Sequence, residues 1–202
     1  MEVMLKVEDE MYDKMFCTSD THFGHNKDFI FKTRGYEDVH SMNVDMIDTI
    51  NMVVGPGGIL LHFGDFCLNT NIESYIDLIR SLKIKELWLI DGNHNNPHRN
   101  FNLYEETDGI TCKVIKFGKY LTFRHKRKEF ICFHFPIAVW DDMGRGSMHL
   151  CGHSHGGYKL SRPEDTTHKI LDCGWCVHRK PLSMLEIETI MNKKGVNNLH
   201  HA

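Results

Sequence analysis

The sequence predicts a single mixed α/β (α+β) domain built on two sheets, and three observations lead there. Its first half alternates short apolar runs with stretches of helical periodicity. Each of those apolar runs ends in a polar cluster that contains Asp, Asn or His. The second half then changes to short strand-like runs, with no linker or low-complexity stretch to divide the chain into two domains. Ligands of open α/β sheets bind at the C-terminal ends of strands, so the same clusters mark where a site is expected.

A chain of 202 residues with 41% hydrophobic content builds one packed core without disulfides. One domain over 1–202 is expected, with 1–12 and 192–202 frayed. A net charge of -3 gives no overall pull towards nucleic acid or a membrane surface, so polyanion binding would need a local patch. No apolar run approaches the roughly 18 residues of a membrane span, and the acidic start (Glu2, Glu8, Asp9, Glu10) is unlike a signal peptide. A cytoplasmic protein with no membrane partner is the expectation. The seven Cys are scattered through apolar strings, as buried reduced thiols are. Cys173-Gly-Trp-Cys176 stands apart, but no second pair lies at a spacing that would complete a zinc site.

Taken in order, Val3, Leu5 and Val7 alternate as an edge strand or a disordered lead would. Met15-Phe16-Cys17 reads as a buried strand that runs into Thr18-Ser19-Asp20-Thr21-His22-Phe23-Gly24-His25-Asn26. Ser41 to Val54 places Val44, Ile47, Ile50 and Val54 at helical spacing, and Gly55-Pro56-Gly57-Gly58 ends that helix. Ile59 to Phe63 is a second buried strand, delivering Gly64-Asp65. Thr70-x-x-Glu73 has the form of a capping box, with Ile72, Ile76, Ile79 and Leu82 giving the helix behind it an apolar face. Leu87 to Ile90 is a third strand, delivering Asp91-Gly92-Asn93-His94-Asn95. Thr111–Phe117 and Tyr120–Arg124 flank Gly118-Lys119 as the arms of a hairpin do, and Phe130–Phe133 follows as a strand. Met148–Cys151 and Ile170-Leu171 are further short strands. Ser183-x-x-Glu186 caps a closing helix with Leu185, Ile187 and Ile190 available to pack.

Laid end to end, the strand-terminal clusters are Asp20-x-His22, Gly64-Asp65, Gly92-Asn93-His94, His134 before Phe135-Pro136, and Gly152-His153-Ser154-His155. This ordered set resembles the signature of the calcineurin-like metallophosphoesterases, over nearly the whole chain. Ser-Asp-Thr-His-Phe-Gly-His, His-Phe-Gly-Asp-Phe, His-Phe-Pro-Ile and Gly-His-Ser-His resemble in particular the small stand-alone bacterial and phage members. The resemblance implies a β-sandwich flanked by helices, a four-layer architecture, and a two-metal site. It implies Asp20, His22 and His155 on one metal, Asn93, His134 and His153 on the other, and Asp65 bridging them. The implied reaction is hydrolysis of a phosphomonoester or a nucleotide-type phosphodiester by metal-activated hydroxide.

The residue types suit that chemistry without the family name. In-line attack on phosphorus needs charge neutralised on the attacking and the leaving oxygen, which two divalent ions supply. Mixed imidazole and carboxylate donors suit manganese first, then iron, zinc or nickel. By resemblance His94 acts at the substrate, held by the residue that follows it. That residue is Asn95 where the family has an acid, and an amide does not favour the imidazolium as a carboxylate would. His25 and Arg34 match positions that touch substrate phosphate, while a loop His and a salt-bridged Arg are the plainer readings. Asp91 and His62 read as structural, and Trp140 as a core aromatic. Arg124-His-Lys-Arg-Lys128 reads as a solvated turn before a nucleic-acid contact. A small phosphoester or nucleotide is therefore the expected partner, with a nuclease role or a metal-bound interaction module as the alternatives.

Overall fold

The computed structural model describes residues 4–68, 71–94 and 112–196. In chain order the elements are β1 (Leu5–Lys6), α1 (Asp9–Tyr12), β2 (Met15–Thr18), α2 (Asp28–Phe31), α3 (Val39–Val54), β3 (Ile59–His62), α4 (Ile72–Ser81), β4 (Glu86–Leu89) and β5 (Lys113–Lys116). The second half adds β6 (Tyr120–His125), β7 (Lys128–Phe133), β8 (Met148–Cys151), β9 (Ile170–Asp172), α5 (Trp175–His178), β10 (Leu182–Ser183) and α6 (Met184–Met191). Two five-stranded sheets result, in the orders β10-β2-β3-β4-β5 and β1-β6-β7-β8-β9. β2 to β5 run parallel, as do β7 to β9.

The alternation of side chains along each strand assigns the layers. Met15, Cys17, Ile59, Leu61 and Trp88 from the first sheet share one buried cluster with Phe123, Phe130, Cys132, Leu150 and Leu171 from the second. That cluster is the interior of the sandwich. The alternate residues Leu60, Leu87 and Leu89 face a second cluster, formed with Met42, Met46 and Ile50 of α3 and Tyr75 and Ile79 of α4. Outside the second sheet, Ile131, Cys151 and Ile170 are covered by Trp140 and by Met143 of a 3-10 turn. α6 buries Met184, Ile187 and Met191 in the sandwich interior.

Several elements depart from the sequence expectation. Residues 4–12 are not frayed: β1 pairs in parallel with β6, and Val7 and Tyr12 are buried. The tail is pinned as far as Val196, because Lys194 is buried and its ammonium donates to the carbonyls of Arg162 and Asp165 at 2.8 and 2.6 Å. α3 begins at Val39, where Asp38 accepts from the Ser41 N–H, and it buries Met42, Met46, Ile50 and Val54 while Val44 is exposed. α4 is capped by Asn71 through Glu73 N–H; Thr70 lies outside the described residues. α6 has its expected capping box, but Leu185 faces solvent.

The largest correction concerns Gly118-Lys119. The segments on either side do not pair with each other: β5 pairs with β4 in the first sheet, and β6 pairs with β1 and β7 in the second. The turn, with Gly118 at φ 71°, carries the chain from one sheet to the other. The hairpin lies one step later, between β6 and β7, with His125 opposite Lys128 and Lys126 at φ 55°.

Candidate metal centre

The parallel strands of both sheets end at one rim. Beyond β2 the chain continues beside the segment that follows β3, with Asp20 N–H donating to Gly64 O (3.1 Å) and His22 N–H to Asp65 O (3.0 Å). A bridge between Ser19 and Gly174 ties that segment to the end of β9, and Gly152 N–H donates to His134 O (2.9 Å) to join the ends of β7 and β8. Two glycines permit this crowding. A Cβ on Gly152 would lie 2.0 Å from Ser19 Oγ and 2.3 Å from Asp20 Oδ2, and one on Gly92 would lie 2.0 Å from Asp65 Oδ1.

Four side chains form the buried floor: Asp20, His22, Asp65 and His134. Asn93, His94, His153 and His155 stand at the exposed rim. On one side, Asp20 Oδ1 lies 3.9 Å from His22 Nε2 and 3.7 Å from His155 Nε2, while Asp20 Oδ2 accepts from the His153 N–H at 2.9 Å. In the middle, Asp65 Oδ2 lies 3.8 Å from His22 Nε2, 3.5 Å from His134 Nε2 and 3.8 Å from His94 Nε2. On the other side, Asn93 Oδ1 is 2.7 Å from His134 Nε2 and 2.8 Å from His153 Nδ1. His134 donates Nδ1–H to Phe63 O at 2.7 Å, which turns the Nε2 lone pair towards Asp65 and Asn93.

These residues fit divalent ions. Asp20 Oδ1 and both ring nitrogens of His22 are buried without a hydrogen-bond partner, an arrangement that costs free energy unless another group satisfies them. Gaps of 3.5 to 3.9 Å between the donors are too long for hydrogen bonds and of the order expected when two donors share an ion about 2.1 Å from each. Asp20, His22 and His155 form one group able to hold an ion, and Asp20, Asp65 and His134 another.

Burial sets most of the electrostatics. It lifts the Asp20 carboxyl to about 6 against the pull of His134 and His155, and lowers His22 to about 2. Burial also pushes Asp65 upward, but its hydrogen bond and charge interaction with His134 and the His94 N–H hold it below the usual carboxylate range. His134 moves the opposite way: burial lowers it, and Asp65 and Asp20 more than restore it, leaving it raised. His25 and His153 are lowered by burial. The shifts of His22 and His153 favour the neutral imidazole that binds a metal, whereas those of Asp20 and His134 favour a proton that a metal would displace.

The structure brings all seven expected metal donors and His94 together. His25 is half-buried one ring further out, its centroid 5.5 Å from His22 and 6.2 Å from His94. Arg34 departs from the expected phosphate contact. Its guanidinium is buried, and it donates Nη2–H to Asp20 O (2.6 Å), Nη1–H to Thr21 O (2.7 Å) and Nε–H to Cys176 Sγ (3.3 Å). Sequence reasoning took it for a substrate ligand or a salt-bridged residue, and it is a clamp on the loop that carries Asp20 and His22. Asn95 lies outside the described residues. His62 is buried against Thr21 Oγ1 at 3.0 Å, and Trp140 is a core residue, as expected.

The chain is thus a two-sheet mixed α/β domain with a candidate His and Asp metal centre at its strand ends. No family model matches it. An uncharacterized protein of Methanocaldococcus jannaschii is 30% identical over 92 residues, 46% of this chain and 52% of that protein, so the chain spans about half the length of the curated relative it matches. Among solved structures, a protein of unknown function from Aquifex aeolicus superposes with a TM-score of 0.60 at 20% identity, covering 87% of this chain and 98% of the other, and shares the fold. Yfce, a phosphoesterase from E. coli, aligns with a TM-score of 0.42 at 10% identity, over 79% of this chain and 77% of that one.

Proposed function

We propose that this chain is a dinuclear metal-dependent phosphoesterase that hydrolyses a phosphomonoester or a nucleotide-type phosphodiester. What supports this most is the convergence of seven O and N donors from five strand ends on one rim, with Asp20 Oδ1 and His22 Nε2 buried and unsatisfied. In this reading Asp20, His22 and His155 hold one ion, Asn93, His134 and His153 the other, and Asp65 contacts both. Bound there, two ions would neutralise phosphoryl charge and lower the pKa of a water. Manganese is the first candidate ion, with iron, zinc or nickel as alternatives, and the mixed imidazole and carboxylate donors admit all four. The remaining work falls to His94, exposed at the mouth with Nε2 3.8 Å from Asp65 Oδ2, where it holds a proton for the leaving oxygen. The next residue in the sequence, Asn95, is an amide and so would not favour a charged ring as a carboxylate would.

A small substrate is the better-supported partner, and the position of the basic run is the reason. Lys126 and Arg127 form the turn between β6 and β7, while His134 follows the other end of β7. Six strand residues at about 3.3 Å each put the two roughly 20 Å apart. That separation leaves the basic turn outside the metal centre, and Lys126 there is paired with Asp9 at 3.0 Å. Among the described residues no helix is long and apolar enough to cross a membrane.

The test is a manganese-loaded sample offered aryl phosphates, nucleotides, cyclic nucleotides and short oligonucleotides. Hydrolysis should fall by about 100-fold or more in Asp65→Asn and in His153→Ala, the equivalent of several kcal/mol of transition-state stabilisation. Undiminished turnover in those purified variants refutes the assignment. Two bound ions with no turnover across the panel would instead indicate a metal-bound interaction module.

A further inference from the structure

Cys176 occupies a place that the two-metal reading does not use. Of the seven cysteines, six are buried and Cys176 alone is partly exposed. It does not act with Cys173, whose thiol belongs to the sandwich interior. Its Sγ sits between two ring or guanidine nitrogens: His155 Nδ1 at 3.1 Å and Arg34 Nε at 3.3 Å. The other nitrogens of Arg34 grip the carbonyls of Asp20 and Thr21, and the other nitrogen of His155 points towards Asp20 Oδ1 at 3.7 Å.

We propose that Arg34 and Cys176 form a positioning relay that sets His155 and Asp20 together as donors to one ion. The inference rests on the two-metal reading above and deepens it. Arg34 has spent its Nε–H on the sulfur, so Sγ acts there as the acceptor. In the two-metal reading His155 binds through Nε2, so its proton sits on Nδ1 and donates to the same sulfur, which holds that tautomer with the Nε2 lone pair facing Asp20. His155 needs such a partner more than its neighbours do. It stands at the exposed rim, where Cys176 Sγ is the hydrogen-bond partner shown for its Nδ1. His134 has a backbone carbonyl in the equivalent role, and α5 supplies the sulfur where no carbonyl is in place. The relay also ties together three separate segments, those carrying Arg34, His155 and Cys176.

The experiment is calorimetric titration of metal-free protein with manganese(II), read as the affinity of each binding event. Loss of a metal ligand's outer partner costs about 10- to 100-fold in affinity. Wild type should show two events. In Cys176→Ala one of them should weaken by about that factor while the other is unchanged, and Cys176→Ser, whose oxygen accepts the same hydrogen bond, should recover most of the loss. Two unchanged events in Cys176→Ala overturn the relay. So does a Cys176→Ser variant as weak as Cys176→Ala, because the effect would then follow packing and not the hydrogen bond. A wild-type protein that takes up no ion overturns the two-metal reading itself, which separates the two failures.

Discussion

Replacing Arg34 by Met should cost more than almost any other single change at the site, and the structure allows the loss to be sized. The Asp20 and Thr21 carbonyls that receive the guanidinium are attached to residues with no solvent exposure. Met keeps the volume and removes both donors, so two buried acceptors go unsatisfied at about 1–3 kcal/mol each. Removing a buried cation returns part of that, because its desolvation cost disappears too. A net loss of about 3 kcal/mol is the expectation. With a urea m-value of about 2 kcal/mol/M, the unfolding midpoint of metal-free protein should fall by about 1.5 M. Tryptophan fluorescence reports the transition, since Trp88, Trp140 and Trp175 are all buried. Arg34→Lys should lie between, because one ammonium on a flexible stem cannot reproduce the planar fork that reaches both carbonyls. A midpoint within about 0.3 M of wild type in Arg34→Met would refute the clamp.

Two further outcomes follow from the packing. Gly152→Ala places a methyl within 2.0 Å of Ser19 Oγ and 2.3 Å of Asp20 Oδ2, so it should cost about 1–3 kcal/mol and weaken binding of the ion held by Asp20; unchanged manganese affinity by calorimetry would count against this crowding as a determinant of the site. His149 is buried with Nδ1 3.0 Å from Ile131 O and Nε2 accepting from the Ile137 N–H at 3.3 Å beside Phe135 O, and burial lowers it to about 4. Its folded value is depressed below the ordinary 6.5, so the unfolded chain takes up the proton first. Its contribution is whole above pH 6.5 and is lost as pH falls towards 4, by about 2 kcal/mol between pH 7 and 5. In His149→Gln the unfolding free energy should therefore depend less steeply on pH over that window, by up to about one proton; identical slopes would show that His149 does not titrate as described.

The parts of the fold that were legible in the sequence are those fixed by local pattern. β2, β3 and β4 each announce themselves as an apolar run ending in a ligand cluster, and all three lie where that pattern places them. Patterns with two solutions were not legible. Gly118 suits a hairpin and a crossover equally, and only the pairing of β5 with β4, remote from the turn, decides between them. α3 carries apolar residues on two overlapping stripes, and the Met stripe wins because Met42, Met46 and Ile50 meet Leu60 of the sheet. The roles of Arg34 and Cys176 escaped for a further reason: the two lie 142 residues apart, Cys176 is 21 residues from His155, and Arg34 grips backbone carbonyls 13 and 14 residues back, which no side-chain spacing reveals. One signal was available for Cys176. It follows β9, the remaining parallel strand of the second sheet, and the logic applied to five other strand ends would have pointed to it.

The backbone explains why the donors sit after the strands and not within them. A strand that simply continued would keep Asp20 and His22, two residues apart, on one face but spread about 6.6 Å along it. Asp20, His22, Asp65, His153 and His155 have φ values of 56, 54, 53, 64 and 48°, so five of the seven expected metal donors lie in the left-handed region that non-glycine residues seldom adopt. Each such residue costs on the order of 1–3 kcal/mol and persists only where its surroundings hold it. Here the holding contacts are specific: Asp20 N–H to Gly64 O, His22 N–H to Asp65 O, His153 N–H to the Asp20 carboxylate, and the Arg34 clamp beneath. The left-handed turns shorten the extended path and direct neighbouring donors towards a common centre. Among the described residues, five of the eight non-glycine residues at positive φ are candidate donors, and two of those five, Asp20 and His22, also carry buried unsatisfied atoms, as a site arranged to receive ions would.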